Sequence, residues 1–461
     1  VNEQTMAGSR LRGYVSHGAE LRSGELNPRT YLEETLTRIA ELDGVVGAFV
    51  VVNREGARRA ADESAKRWAD GRPLSPIDGM PVAIKDIIET ADMPTGQGSP
   101  LWEGTEGKRD SASVHALREA GAIILGKTTT TEFASKHPWH ETTNPHDPKR
   151  TPGGSSSGTA AAVGAGMVPA GLGTQLIGSI LRPSSFCGAV GFKPTVGAIN
   201  RSGSHDHFSQ SCQGSIGATL ADTWAVLRAI ADRAGGDPGY GGLAGEVDFT
   251  QRTKPVKLAV LETGGWSATT EGARRAFASL KHRLQEQGVE VVGRADDDRI
   301  ETVEQAVAEA LPLTTAIVAW EGRWPLNTYA DLDASKLSLD ARDRLKTAEA
   351  MTQQEFRELL NQRTAVRATY EEAAANYDAM VTLGACGAAP VGLGSTGNVA
   401  MNVTASLLGC PALTLPALAD EGLPLGLQLL GRTDRDAALF DVANWVAGEA
   451  LGRPDLVGRV A

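Results

Sequence analysis

The stretch from Thr151 to Thr195, TPGGSSSGTAAAVGAGMVPAGLGTQLIGSILRPSSFCGAVGFKPT, constrains the fold more than any other part of the chain. It is rich in Gly, Ser and Ala and poor in charge. Gly/Ser tracts are commonly flexible linkers. This one reads otherwise. Gly153 to Gly158 is tight turn sequence, Thr159 to Gly166 is a small-residue run suited to a buried helix, and Gly171 to Ser179 reads as a second turn. Small residues in buried turns let backbone N–H groups converge on one point, which a site for developing negative charge requires. Taken alone, the stretch is equally consistent with a tightly packed core segment that carries no chemistry. A phosphate cradle is the weaker reading, because neither G-x-x-x-x-G-K-[ST] nor G-x-G-x-x-G after a strand is present.

At 461 residues the chain can bury a large core, and length alone allows two or three domains. Its net charge of −11 argues against nucleic acid or an anionic membrane as the main partner. No apolar run reaches the roughly 18 residues that a membrane-spanning helix needs, and no basic-then-apolar leader is visible. Cys187, Cys212, Cys386 and Cys410 are widely spaced and form no C-x-x-C. They read as small buried thiols of a reduced, cytoplasmic setting rather than a disulfide framework.

Along the chain, Asn27-Pro28 is a helix start, followed by an apolar stripe at Tyr31, Leu32, Leu36, Ile39 and Leu42. Arg54 to Asp70 reads as a charged surface helix, Ser111 to Ala120 as another helix and Ile123 to Leu125 as a strand. Lys257 to Leu261, Thr270 to Gln287 and Val289 to Val292 read as strand, helix, strand, and continue the sheet. Glu301 to Tyr377 is largely helical and contains Trp320, Trp324, Tyr329 and Phe356, which on such helices are more often core than ligand cage. Lys85 sits in the apolar run Val82-Ala83-Ile84-Lys85-Asp86-Ile87-Ile88. It is either a lysine that snorkels or pairs with Asp86, or a desolvated amine able to accept a proton near neutral pH. Two histidine pairs, His137 with His140 and His205 with His207, lack an H-E-x-x-H or Cys/His cluster and read as loop residues, not a metal site.

Several spaced segments resemble the amidase signature family in the family's order. Gly153 to Gly158 is similar to its G-G-S-S-[GS]-G, Gly173 to Pro183 to its G-T-D-x-G-G-S-I-R-x-P, and Cys187 to Thr195 to its C-G-x-x-G-x-K-P-T. Gly79 to Asp86 looks like the family's catalytic-lysine strand, and matches continue through Pro94 to Ser99, Ala120 to Thr128, Glu132 to Ala134, Asn144 to Pro148 and Gly422 to Gly431. The resemblance implies an α/β fold: one domain over residues 1–461 with a mixed, mostly parallel twisted sheet covered on both faces by helices. Within it, residues 1–75 would supply N-terminal helices, 76–235 the catalytic core, 298–378 a helical region over the substrate, and 379–461 the completion of the sheet.

Carried over position by position, the resemblance places the nucleophile at Ser179, a cis serine 24 residues before it at Ser155, and the base at Lys85. It places an oxyanion site at the backbone N–H groups of Leu176, Ile177 and Gly178. Gly154, Gln175, His207 and Asn398 are the expected substrate contacts. The implied activity is hydrolysis of amide C–N bonds in small molecules, with carbamates and esters as related substrates. No cofactor and no metal is implied, and a homodimer is. An amidotransferase component of a larger complex and a catalytically silent scaffold are the alternatives. Three departures from the family pattern stand out: Gln175 replaces Asp, Leu181 replaces Arg, with Arg182 one position on, and Ile177 replaces Gly. Losing the acid and the base together strands no buried charge. Ile177 is expected to keep an ordinary φ and to present its side chain to the cleft.

Overall fold

A computed structural model describes residues 11–458. The strands are β1 (Phe49–Val52), β2 (Pro81–Lys85), β3 (Ile123–Thr128), β4 (Ala170–Gln175), β5 (Val190–Lys193), β6 (Cys212–Gly217), β7 (Lys257–Val260), β8 (Glu290–Val292), β9 (Ala379–Leu383), β10 (Ala412–Asp420) and β11 (Leu423–Leu430). They pair into one sheet in the order β1-β3-β2-β4-β6-β5-β10-β11-β9-β7-β8. Helices pack on both faces. Pro28–Val46, Arg54–Ala69 and Ser157–Gly164 contribute to one apolar layer against β2 and β3, while Leu220–Ala234 and Asp436–Trp445 contribute to a layer on β5, β10 and β11. The fold is therefore a single α/β domain with a large mixed sheet.

The parallel share of that sheet is smaller than expected. Only β2/β3, β2/β4, β7/β8 and β7/β9 are parallel, against six antiparallel pairings. One cause is local. Glu421 and Gly422, both at positive φ, close β10 onto β11 in two residues, a connection that only antiparallel strands accept.

Many elements follow from local chemistry. Asn27 Oδ1 accepts from Arg29 N at 2.8 Å, with Pro28 at the first helical position. Ser111 and Thr270 cap the Ala112–Glu119 and Glu271–Glu286 helices in the same way. The Gly171 to Ser179 segment departs from its expected turn. It is strand through Gln175, and only the residues after it turn. Its glycines serve close packing: a Cβ on Gly171 would lie 2.7 Å from Thr159 Cγ2 and 2.8 Å from Ala83 O.

The Ser157–Gly164 helix is buried at all eight residues and rests on the end of β3. A Cβ on Gly158 would lie 2.2 Å from Ala48 O and 2.5 Å from Thr129 N, both backbone atoms that cannot swing aside. Gly158→Ala is expected to destabilise the chain by about 1–3 kcal/mol, as overpacking in a close-packed interior does. Urea unfolding checks this as a lower midpoint at unchanged slope.

Candidate active site

Lys85 ends β2, the strand between β3 and β4, and is fully buried. Alternation along the strand sends its neighbour Asp86 elsewhere. Asp86 Oδ1 pairs with Lys127 Nζ at 2.9 Å, and Asp86 Oδ2 accepts from Gly96 N at 3.0 Å. Among the described residues Lys85 thus has no acidic partner in contact. Its Nζ lies 2.7 Å from Ser155 Oγ and 2.8 Å from Thr174 Oγ1. Burial drives its pKa down to about 7, opposed by the charge of Asp206.

Ser155 precedes the Ser157–Gly164 helix, and the Gly154–Ser155 peptide is cis. Ser179 lies in the turn that leads from β4 into the Leu181–Cys187 helix. Ser156 ties the two segments together: its N donates to Ser179 O at 3.3 Å and its Oγ to Thr174 O at 3.3 Å. Ser155, the partner of Lys85, and Ser179 line one pocket, with Thr174 and Ile177 also on its wall.

The carbonyls of the 176–178 turn are all engaged. Leu176 O accepts from Gln210 Nε2, Ile177 O from Ser406 Oγ, and Gly178 O from Arg182 N. Peptide planarity turns the N–H groups of Ile177, Gly178 and Ser179 to the opposite side. Ile177 keeps a negative φ and its side chain lines the pocket, in agreement with the expectation for a β-branched residue there.

Comparison with known proteins now decides the family. A family model described as Amidase matches residues 30–440. The chain belongs to the amidase signature family. The A subunit of the glutamyl-tRNA(Gln) amidotransferase from Anaeromyxobacter sp. (strain K) is 32% identical, over 94% of this chain and 94% of the relative. A solved structure described as an amidase superposes with a TM-score of 0.82 at 26% identity, covering 95% of this chain and 99% of that one. The native peptide amidase from Stenotrophomonas maltophilia gives a TM-score of 0.75 at 26% identity, over 95% and 96% of the two chains.

Against that family pattern, the two charged residues missing from the turn are replaced by a neutral arrangement. Gln175 Oε1 accepts from Ile180 N at 2.9 Å and Leu181 N at 3.0 Å, and Gln175 Nε2 donates to Ser406 Oγ at 3.0 Å. Leu181 is buried in an apolar cluster. Gln175 is therefore a brace beneath the turn. It is fully buried and does not touch the pocket, so the substrate contact expected of it is corrected. The carbonyl of Gly154 accepts from Arg182 Nη2 at 2.7 Å. His207 faces a separate outer hollow with Trp320 and Trp324, while its neighbours His205, Asp206 and Phe208 line the pocket. Asn398 is exposed and its Oδ1 accepts from Ala400 N at 2.9 Å, leaving Thr396 and Val399 on the pocket wall. Loop residues shift by one or two places because no strand or helix fixes their direction.

The roles of three residues escaped the sequence reading. Thr174, inside the matched G-T, holds Lys85. Asp206, beside the histidine pair, supplies the charge that Lys85 senses and accepts from Ser211 Oγ at 2.5 Å. Arg182 is buried without an acidic partner. It donates from Nε to Thr396 O at 2.7 Å and from Nη2 to Gly154 O, and burial lowers its pKa to about 10. It binds the serine turn to the 396 loop.

Among the described residues no cluster of three or more His, Cys, Asp or Glu is arranged to hold a metal ion, and the four cysteines carry free thiols. Among the described residues no helix is long and apolar enough to cross a membrane.

Replacing Gln175 by Leu leaves two buried N–H groups without an acceptor. This is expected to cost about 1–3 kcal/mol and to lower the melting temperature. Lys85 provides a second expectation. Turnover that needs its neutral amine rises with pH through about 7 and levels off above it. Asp206→Asn removes a charge that raises the Lys85 pKa, so the midpoint of the pH–rate profile moves down.

Proposed function

We propose that this chain breaks the C–N bond of an amide through an acyl-enzyme on Ser179, with Ser155 and Lys85 as a proton relay. The observation that carries this reading is the buried Lys85 amine, 2.7 Å from Ser155 Oγ, on a pocket that also holds Ser179. A serine hydroxyl is a weak nucleophile until a base takes its proton. Neutral Lys85 takes the proton of Ser155 as Ser155 takes that of Ser179. Ser179 Oγ then attacks the carbonyl carbon, and the N–H groups of Leu176, Ile177 and Gly178, joined by Ser179, receive the oxyanion. Such donors contribute about 3–4 kcal/mol each in other hydrolases. Collapse of the intermediate expels the amine, which takes its proton from Ser155, and Ser155 is restored by the Lys85 ammonium. Water enters by the reverse relay. The substrates are linear amides, with carbamates and esters within the same chemistry.

The names of the sequence relatives favour a second reading over a lone amidohydrolase. In it the chain is the amide-cleaving subunit of an amidotransferase, and the released nitrogen passes to an acceptor instead of to solvent. Identity of 32% over 94% of both chains to the A subunit of a glutamyl-tRNA(Gln) amidotransferase supports it. Ile177 and the neutral Gln175–Leu181 pair, which reshape the turn around the acyl pocket, support the first reading. Turnover of simple amides by the isolated chain selects the hydrolase. Turnover that requires copurifying subunits and rises with glutamyl-tRNA selects the amidotransferase.

Both readings share one test. Ser179→Ala and Lys85→Ala are each expected to lower kcat by at least about 1,000-fold with the fold intact by circular dichroism. A fluorophosphonate should label Ser179 in the unaltered chain, as peptide mapping would show. Near-normal turnover by either variant overturns the relay.

A further inference from the structure

We propose that the end of the pocket formed by the Leu339–Ala350 helix receives a substrate head group of no net charge, such as a carboxamide or ureido group, that donates to Asp340 and accepts from Arg344. The inference rests on the amide-cleaving reading and names the substrate class of that same pocket. Asp340 and Arg344 stand four residues apart on this helix, so their side chains leave one face. Both line the pocket that holds Ser155 and Ser179. Each presents a buried atom without a hydrogen-bond partner, Asp340 Oδ2 and Arg344 Nε. Among the described residues neither side chain has a hydrogen-bond partner, so a ligand at this wall would meet an unpaired carboxylate and an unpaired guanidinium.

Several of the surrounding charged groups are already engaged, His205 with Glu89 among them. Glu132, whose charge acts on Arg344, is occupied: Ser338 N donates to its Oε1 at 3.0 Å and Ser338 Oγ bonds its Oε2. Ser338 also caps the helix by accepting from Ala341 N at 3.1 Å, so the helix start is fixed in place. Asp206 accepts from Ser211 Oγ, and Arg182 is held by the Thr396 and Gly154 carbonyls. Lys136 is exposed, where water screens it. Burial lowers the Arg344 pKa, and the charges of Asp340 and Glu132 oppose that shift. A carboxylate placed here meets Arg344 and is repelled by Asp340. An ammonium meets the reverse. A carboxamide satisfies both, with its N–H toward Asp340 and its carbonyl oxygen toward Arg344.

The test is calorimetric binding to the Ser179→Ala chain, which cannot form the acyl-enzyme. The probes are aliphatic amides of matched length that end in a carboxamide, a carboxylate, an ammonium or a methyl group. The carboxamide-ended probe is expected to bind at least about tenfold tighter than each of the others. In the same background, Asp340→Asn moves the preference to the carboxylate and Arg344→Met moves it to the ammonium. A merely structural role for the two residues does not produce opposite shifts. Should either variant fail to fold, Asp340→Ser or Arg344→Gln carries the same expectation. Equal affinity for all four ends, or the same preference in both variants, overturns the inference. Fluorophosphonate labelling of Ser179 in the unaltered chain reports on the catalytic reading separately, so the two failures are distinct.

Discussion

A primary amine buried in a sheet with only hydroxyl groups for partners is the constraint around which this molecule is built. Lys85 makes no ion pair, and its Nζ contacts are Ser155 and Thr174. An ammonium in that setting lacks the acceptors and the counter-charge that water would give it, so the neutral amine gains ground and the pKa falls to about 7. The neighbouring lysine shows the contrast. Lys127 is equally buried, yet it holds Asp86 at 2.9 Å and also donates to Pro94 O and Thr95 Oγ1. Two lysines on adjacent strands are thus assigned different chemistry by their partners: one braces a loop, the other is free to take a proton.

Holding hydroxyls against that amine requires several chain segments to meet closely, and the small residues make this possible. The Ser157–Gly164 helix approaches β3 and β4 through Gly158 and Gly171, where any side chain would strike backbone. Arg182 and Gln175 then fix the turns. Arg182 satisfies carbonyls of Gly154 and Thr396, and Gln175 satisfies the N–H groups that open the Leu181–Cys187 helix. Both act on backbone atoms, whose positions set where Ser155 and Ser179 stand. Preorganisation of this kind places the cost of ordering in folding and not in each catalytic cycle.

The walls of the pocket come from distant parts of the chain. The lysine strand, the serine turns, the loop at Asp206, the Leu339–Ala350 helix and the 396 loop all contribute. Of these, the lysine strand and the serine turns carry the family pattern. The helical region at 298–378 carries no motif, yet it supplies Asp340 and Arg344 to the pocket and Trp320 and Trp324 to the outer hollow. In the proposed reading, chemistry and selectivity therefore lie on different segments.

The sequence alone determined the family, the α/β class, several helix starts and the residues that the proposed relay needs. These depend on short spacings and on residue types with one physical use: a capping Asn before Pro, glycines where backbones touch, serines at two turns, a lysine in an apolar strand. Only the tertiary structure decided the rest. Sheet direction depends on pairings between remote strands, which is why six antiparallel contacts replaced a mostly parallel expectation. Whether Lys85 pairs with Asp86 depended on which face of β2 each residue takes and on where Lys127 lies. Gln175 read as a substrate contact because its position sits beside the serine turn, and packing turned it underneath. His207 and Asn398 missed the pocket by one or two residues, a distance that decides orientation in a loop and that no spacing rule encodes. Burial and partner geometry are properties of the folded whole, and they set what each of these side chains can do.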